Sequence, residues 1–225
     1  MVRFPVNSSR RPLFRRSGHL AALVALVAAL GLTSALAAAG EPHPFELTAF
    51  GGYRAGGRFE VEPGRLVLAE GVSFGASLGY HASPDMIVDF TYTRQSTDLE
   101  FRPADSGEAI PVSDILIQGF YLGGLYEHGF AGSRPFVGVG LGANRLDPEV
   151  PAVDSQTRFS FNFSGGLRTD ISRQVGLKFT LRGTFSTPPD DGSTIVCQTP
   201  AFCYVQAGNS LVSQFDFSVG LAIRP

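Results

Sequence analysis

The chain contains 225 residues, of which 44% are hydrophobic and 17% charged, with two cysteines and a single lysine, Lys178. This length fits one domain. The 18 basic and 20 acidic residues give a net charge of −2, and the first 39 residues hold five of the arginines and none of the acids. The remainder has 13 basic and 20 acidic residues, a net charge of −7. That balance argues against nucleic acid as a partner, because phosphate binding requires a basic surface.

The first 39 residues have the pattern of a secretory signal peptide. Four arginines between Arg10 and Arg16 precede an apolar run from His19 to Thr33, and small residues at 35–39 offer cleavage sites. The alternative is a permanent membrane anchor, but the run is short for a span of about 20 residues. We therefore predict a signal peptide over residues 1–39, which is removed, and one mature domain over residues 40–225.

Eight segments of the mature chain alternate between apolar and polar or small residues. This alternation is typical of β-strands, whose successive side chains point to opposite faces. In the last segment, Phe215 and Phe217 alternate with Asp216 and Ser218. The predicted strands are Phe45–Tyr53, Gly71–His81, Met86–Phe101, Asp114–Glu127, Arg134–Arg145, Thr157–Leu167, Gln174–Ser186 and Ser210–Arg224.

The segments that connect these strands alternate in length. Those that follow the second, fourth and sixth strands are short, whereas the others are longer and rich in proline, glycine and acids. Outer-membrane barrels have this asymmetry, with short periplasmic turns and long outer loops. The sequence therefore predicts an all-β fold, an eight-stranded antiparallel up-and-down transmembrane β-barrel with short periplasmic turns and long outer loops.

The polar face of the strands is predicted to line the lumen, and the apolar face to meet lipid. Glycine and serine dominate the polar face, and an eight-stranded barrel leaves an interior only just wide enough for side chains. Buried charges need partners, and both signs occur on this face. We predict a structural network of lumen charges, namely Glu46, Asp89, Arg158, Lys178, Arg182 and Asp216. The alternative is a secreted soluble barrel with the opposite orientation, which would bind an apolar ligand.

Two further patterns concern single residue types. Cys197 and Cys203 are the only cysteines, and in an exported protein such a pair predicts a disulfide. Five tyrosines lie toward strand ends, where membrane barrels place aromatic girdles, namely Tyr53, Tyr80, Tyr92, Tyr121 and Tyr126.

From Phe45 to Pro225 the chain resembles small outer-membrane β-barrels of the OmpA, OmpX and OmpW type, which are also described as outer-membrane β-barrel-domain or porin-family proteins. The residues that carry the resemblance are the opening strand FELTAFGGYR (45–54) and the closing strand FDFSVGLAIR (215–224). Family members usually end in an aromatic residue that the barrel-assembly machinery reads, whereas this chain has Pro225 there. The resemblance implies the outer membrane as location, with its lipid or lipopolysaccharide and the barrel-assembly machinery as partners. A closed barrel has no free edge, so we expect a monomer.

The sequence favours a protein that is not an enzyme. Barrel enzymes that modify lipid A, the alternative, use serine with histidine on the outer side, whereas His43 precedes the first strand and His81 and His128 lie in short turns. No spacing of loop acids matches a calcium loop, so we predict no catalytic residue, cofactor or metal. The predicted function is an integral outer-membrane barrel whose loops serve contact, adhesion or envelope integrity, with slow passage of small solutes as a variant.

Overall fold

The computed structural model describes residues 44–61, 64–104, 109–129, 132–148, 155–187, 193–199, 202–207 and 211–225. Within these ranges every regular element is a β-strand. No helix long and apolar enough to cross a membrane occurs among these residues. The predicted signal peptide over residues 1–39 lies outside the described residues and stays a prediction.

Twelve strands follow one another along the described chain. They are β1 (Phe45–Gly56), β2 (Arg58–Val61), β3 (Gly64–Leu68), β4 (Gly71–His81), β5 (Met86–Pro103), β6 (Ile110–Glu127), β7 (Ser133–Pro148), β8 (Gln156–Asp170), β9 (Val175–Ser186), β10 (Ser193–Thr199), β11 (Phe202–Ala207) and β12 (Val212–Ile223).

Eight of these strands close into a single antiparallel barrel. Each long strand pairs with its neighbour in the order β1-β4-β5-β6-β7-β8-β9-β12. The ring closes where β12 pairs with β1, from Leu47 opposite Ile223 to Gly56 opposite Gln214. This confirms the predicted all-β fold of eight antiparallel barrel strands.

The two ends of the barrel differ as predicted. Short connections join β4 to β5, β6 to β7 and β8 to β9, at the end where β1 begins and β12 finishes. We call this the short-turn end, and the opposite one the long-loop end.

The prediction missed four short strands at the long-loop end. The hairpin β2–β3 lies in the predicted loop after β1, and the hairpin β10–β11 in the predicted loop after β9. Strands of four to seven residues offer too few alternating positions to be recognised in a loop. In β10–β11 the backbone register places Cys197 opposite Cys203. Their side chains lie outside the described ones, so the disulfide stays a prediction.

The barrel is apolar outside and polar inside, which is the predicted orientation. Phe217 is 52% exposed, whereas its neighbour Asp216 is 3% exposed. Large exposed hydrophobic side chains occur on every one of the eight barrel strands, and most buried residues of the middle of the barrel are polar. Tyr121 departs from the prediction of an aromatic girdle, because it points into the lumen and is only 3% exposed.

The lipid-facing role of the outward surface can be tested with Leu141, an outward side chain of β7 that is 62% exposed. We expect Leu141→Arg to lower the free energy of unfolding by about 2–4 kcal/mol in lipid vesicles, because a guanidinium would then lie in hydrocarbon. Urea titration of the refolded protein measures this. The matched control is Ser96→Arg, on the same face of β5 but beyond the apolar region. An equal effect of both substitutions would contradict the orientation.

Candidate functional site

A cluster of buried and half-buried ionisable side chains lies in the lumen at the short-turn end. Glu46 on β1, His81 on β4, Glu127 on β6, Arg168 on β8 and Arg224 after β12 all point into it. We call these five residues the short-turn charge cluster. Because four different strands and the residue after β12 contribute to it, the cluster extends across the bore.

Arg168 and Glu46 form the centre of this cluster. The Arg168 side chain is 1% exposed, and its Nη1 donates to Oε2 of Glu46, three strands away around the barrel. Arg224 Nε donates to the same oxygen at 2.9 Å, and His81 Nε2 lies 3.5 Å from it. Asp170 Oδ1 lies 3.0 Å from Arg168 Nε. The Arg168 guanidinium is therefore held between carboxylates on opposite walls of the lumen.

The middle of the lumen holds two cations over aromatic rings. Lys178 Nζ lies 4.7 Å from the centre of the Phe136 ring. The Phe136 ring lies over Gly166, where a Cβ atom would collide with it. A glycine in the wall thus makes room for an aromatic ring, which attracts the cation above it.

The same arrangement occurs a second time. The Arg182 guanidinium carbon lies 5.3 Å from the centre of the Phe50 ring, and this ring lies over Gly75. Phe50 and Phe136 thus both have a cation as partner, and Phe136 also belongs to a small buried apolar cluster with Ile87 and Leu125.

Carboxylates lie near these cations. Asp216 accepts a hydrogen bond from Ser73 at 2.5 Å and lies 3.5 Å from Arg54 Nε. Asp89 accepts a hydrogen bond from Thr91 at 2.6 Å. The lumen cavity that Asp89 and Lys178 help to line has a volume of only about 30 Å³. This is space for about two water molecules.

A chain of neutral hydrogen bonds lies nearer the long-loop end. Tyr121 donates to Asn144 Oδ1 at 2.5 Å, and Asn144 donates to Ser186 Oγ at 2.9 Å. Ser160 donates to the same hydroxyl at 2.8 Å. This chain explains why Tyr121 points inward, since its hydroxyl finds a buried acceptor there.

The long-loop end of the lumen is filled by apolar side chains. They form one buried cluster, which we call the long-loop apolar cluster and which consists of Leu66, Leu68, Leu99, Phe101, Val112, Ile115, Ile117, Leu146 and Val212. The cavity beneath it, between Leu68 and Arg158, has a volume of about 10 Å³. Among the described residues, charged side chains thus lie at one end of the lumen and hydrocarbon side chains at the other.

All six charges predicted for the lumen face it. Glu46, Arg158, Lys178 and Asp216 are buried, and Asp89 and Arg182 are half-buried. Glu46 and Asp216 pair with arginines outside the predicted set, Lys178 and Arg182 lie over aromatic rings, and Arg158 donates to Gln156 at 3.3 Å.

The sequence analysis missed Arg54 and Arg168 because it ended their strands too early. The first strand was predicted to end at Tyr53 and the sixth at Leu167, whereas β1 continues to Gly56 and β8 to Asp170. The signal was present nonetheless. Arg54 lies an even number of residues after the inward Glu46 and Thr48, so it points to the same face. Arg168 lies in the same way after the inward Arg158 and Ser160. Extending each predicted strand by one residue would have placed both arginines inside.

Outside the barrel, two carboxylates face each other beyond the apolar region. Asp98 on β5 is the register partner of Asp114 on β6. A hydrogen bond with Asp114 raises the pKa of the Asp98 carboxyl above its ordinary value of 3.8, and partial burial and the charge of Asp114 act in the same direction. The Asp98 carboxyl is therefore less acidic than an isolated aspartate.

These features define a class of protein: a β-barrel that presents hydrocarbon side chains to a membrane and encloses a charged lumen. The family profile described as outer membrane protein beta-barrel domain matches residues 25–222, and the chain belongs to this family. Its location is the outer membrane, which excludes the alternative of a secreted soluble barrel. In such barrels the short turns lie on the periplasmic side. No curated protein sequence matches the chain significantly.

Solved structures share the fold at low identity. Neisserial surface protein A superposes with a TM-score of 0.56 at 17% identity, over 83% of this chain and 100% of that one. OprG from Pseudomonas aeruginosa has a TM-score of 0.52 at 9% identity, over 83% and 99%. The outer membrane protein AlkL in DMPC lipid bilayers has a TM-score of 0.53 at 18% identity, over 83% and 92%.

The short-turn charge cluster predicts that two arginines contribute differently to the free energy of unfolding. We expect Arg168→Met to lower the free energy of unfolding by about 3–5 kcal/mol, because the buried Glu46 loses its closest partner. The control is Arg134→Gln, whose side chain is 32% exposed and 3.4 Å from Asp170, with an expected loss of about 0–1 kcal/mol. Urea titration measures both. Adding Glu46→Gln to Arg168→Met should recover part of the loss, and a double variant less stable than either single one would contradict the pairing.

The Asp98 pair predicts a pH dependence of stability. Because the pKa of Asp98 is raised in the folded state, its contribution is favourable at low pH and is lost as the pH rises above 3.8 through the raised value. We expect Asp98→Asn to raise the stability at pH 7 by less than about 1 kcal/mol and to flatten the pH profile. Unfolding midpoints in urea between pH 3 and pH 7 measure this. Asp147→Asn is the control, and an equal gain from it would contradict the assignment.

Proposed function

We propose that this protein is a non-enzymatic outer-membrane barrel that does not conduct, and that its long-loop end serves contact at the cell surface and integrity of the envelope. The carrying observation is the lumen, which contains the Arg168–Glu46 pair at the short-turn end and the long-loop apolar cluster at the other. A pore needs a continuous water-filled path, and cavities of about 30 Å³ and 10 Å³ do not make one.

The strands beyond the apolar region support the role in surface contact. Strands β5 and β6 have 18 residues each, whereas about 9–11 are enough to cross a membrane. The hairpin β2–β3 pairs with the extended part of β5, where Leu66 lies opposite Phe101. The outer part of the barrel is thus a regular hydrogen-bonded β-sheet that can hold surface loops in place. A disulfide between Cys197 and Cys203 would constrain β10–β11 in the same way.

Lipid and lipopolysaccharide are the proposed permanent partners of the outward face, and the barrel-assembly machinery is a proposed partner during biogenesis. The barrel strands leave no unpaired edge in the closed ring, which supports a monomer as the functional unit.

Planar-bilayer conductance of the refolded protein tests the closed lumen. We expect no steady current from the wild type. We also expect none from Glu46→Ser with Arg168→Ser, because the apolar cluster still closes the other end. A steady current should require Leu68→Ser and Ile117→Ser in addition, since the two closures act in series.

A shift of gel mobility on heating shows for each variant that the barrel has folded. A steady open channel in the wild type would overturn the proposal and favour solute passage. A steady current after opening the short-turn end alone would show that the long-loop apolar cluster does not close the lumen.

A further inference from the structure

A row of polar side chains crosses the outward face of three neighbouring strands. Arg94 on β5 is the register partner of Gln118 on β6, and Gln118 is the register partner of Arg145 on β7. Register partners in a sheet lie on the same face, about 5 Å apart. We call Arg94, Gln118 and Arg145 the basic row.

The basic row lies at the outer limit of the apolar surface. On each strand at least four outward positions separate it from the short-turn end, and the four next to the row are occupied by apolar residues, tyrosine or glycine. They are Met86, Val88, Phe90 and Tyr92 on β5, Phe120, Leu122, Gly124 and Tyr126 on β6, and Val137, Val139, Leu141 and Ala143 on β7. A strand of about 9–11 residues crosses the hydrocarbon, so the basic row lies where hydrocarbon gives way to lipid headgroups.

The two guanidinium groups are available to an external ligand. No carboxylate in the described part of the chain forms an ion pair with Arg94. Arg145 Nη2 lies 3.9 Å from Asp147 Oδ2, which is too long for a hydrogen bond, and its side chain is 50% exposed. Between them, Gln118 donates to the hydroxyl of Tyr92 at 3.0 Å and is held in place. A charge at the edge of the hydrocarbon is costly unless its head reaches an anion or water.

The surroundings favour a lipid anion over a soluble one. Phe74 is the register partner of Arg94 on β4 and is 47% exposed. Tyr92 and Phe120 lie directly below the row, and their rings form a tilted pair 5.1 Å apart. The carboxylates of Asp98 and Asp114 lie four residues further out, about 13 Å along the strands. The nearest carboxylate to the row is that of Asp147, 3.9 Å from Arg145, whereas Arg94 lies beside the exposed ring of Phe74.

We infer that the basic row binds a phosphate group of lipopolysaccharide in the outer leaflet. The guanidinium fork matches phosphate oxygens with paired hydrogen bonds, and the apolar surface below the row accommodates the acyl chains of the same molecule. This inference deepens the proposed role of lipid as a partner. It rests on the outer-membrane location and on no property of the lumen, so the conductance experiment and the one below can fail separately.

Binding of purified lipopolysaccharide to the full mature protein in detergent tests the inference, with native mass spectrometry as the readout. We expect Arg94→Gln with Arg145→Gln to weaken binding about tenfold, because each cation near the surface contributes to anionic lipid binding. The matched control is Arg65→Gln with Arg102→Gln. This control removes two positive charges from the outward face nearer the long-loop end, where Arg65 lies opposite Arg102. It should leave the binding of lipopolysaccharide unchanged.

Two further ligands identify the chemical group. Dephosphorylated lipopolysaccharide should bind the wild type as weakly as the native lipid binds the Arg94→Gln, Arg145→Gln variant. Phosphatidylglycerol should bind more weakly than lipopolysaccharide. The inference would be overturned if the two double variants bound lipopolysaccharide equally well. It would also be overturned if the wild type bound the dephosphorylated lipid as tightly as the native lipid. Equal binding of phosphatidylglycerol would overturn the assignment to lipopolysaccharide. The mobility shift on heating confirms that each variant is folded.

Discussion

Backbone pairing between β12 and β1 is the constraint on which the rest of the structure depends. In lipid there is no water to satisfy N–H and C=O groups, so an open edge would leave a row of them unpaired. The antiparallel register from Leu47 opposite Ile223 to Gly56 opposite Gln214 removes that edge. Closure also sets the size of the interior, because eight strands enclose a bore that is only wide enough for side chains.

That narrow bore explains the composition of the lumen. Two large inward side chains fit because the register partner on the adjacent strand is a glycine, namely Gly166 for Phe136 and Gly75 for Phe50. Each of these rings in turn holds a cation. A soluble protein fills its interior with hydrocarbon, whereas here the hydrocarbon is needed outside and the interior is filled by ion pairs, rings and hydroxyls.

The composition of the outward surface changes from the short-turn end to the long-loop end. Apolar residues and glycine occupy the part near the short-turn end, arginines lie at the outer limit of this part on β5 and β7, and carboxylates such as Asp98 and Asp114 follow further out. Each residue type matches a different solvent: hydrocarbon, lipid headgroups and water. The residue types along each strand thus indicate how deep each part of the barrel lies in the membrane.

The sequence by itself determined the alternation of apolar and polar residues, and with it the eight barrel strands, their orientation and the division into short turns and long loops. This was possible because alternation is a local property of each strand. Only the tertiary structure decided which charges meet. Arg168 and Glu46 are 122 residues apart, and they meet because closure brings β8 and β1 to opposite walls of one lumen. The inward position of Tyr121 and the pairing of β3 with the extended part of β5 depend on the same closure, because the partner of each lies on another strand.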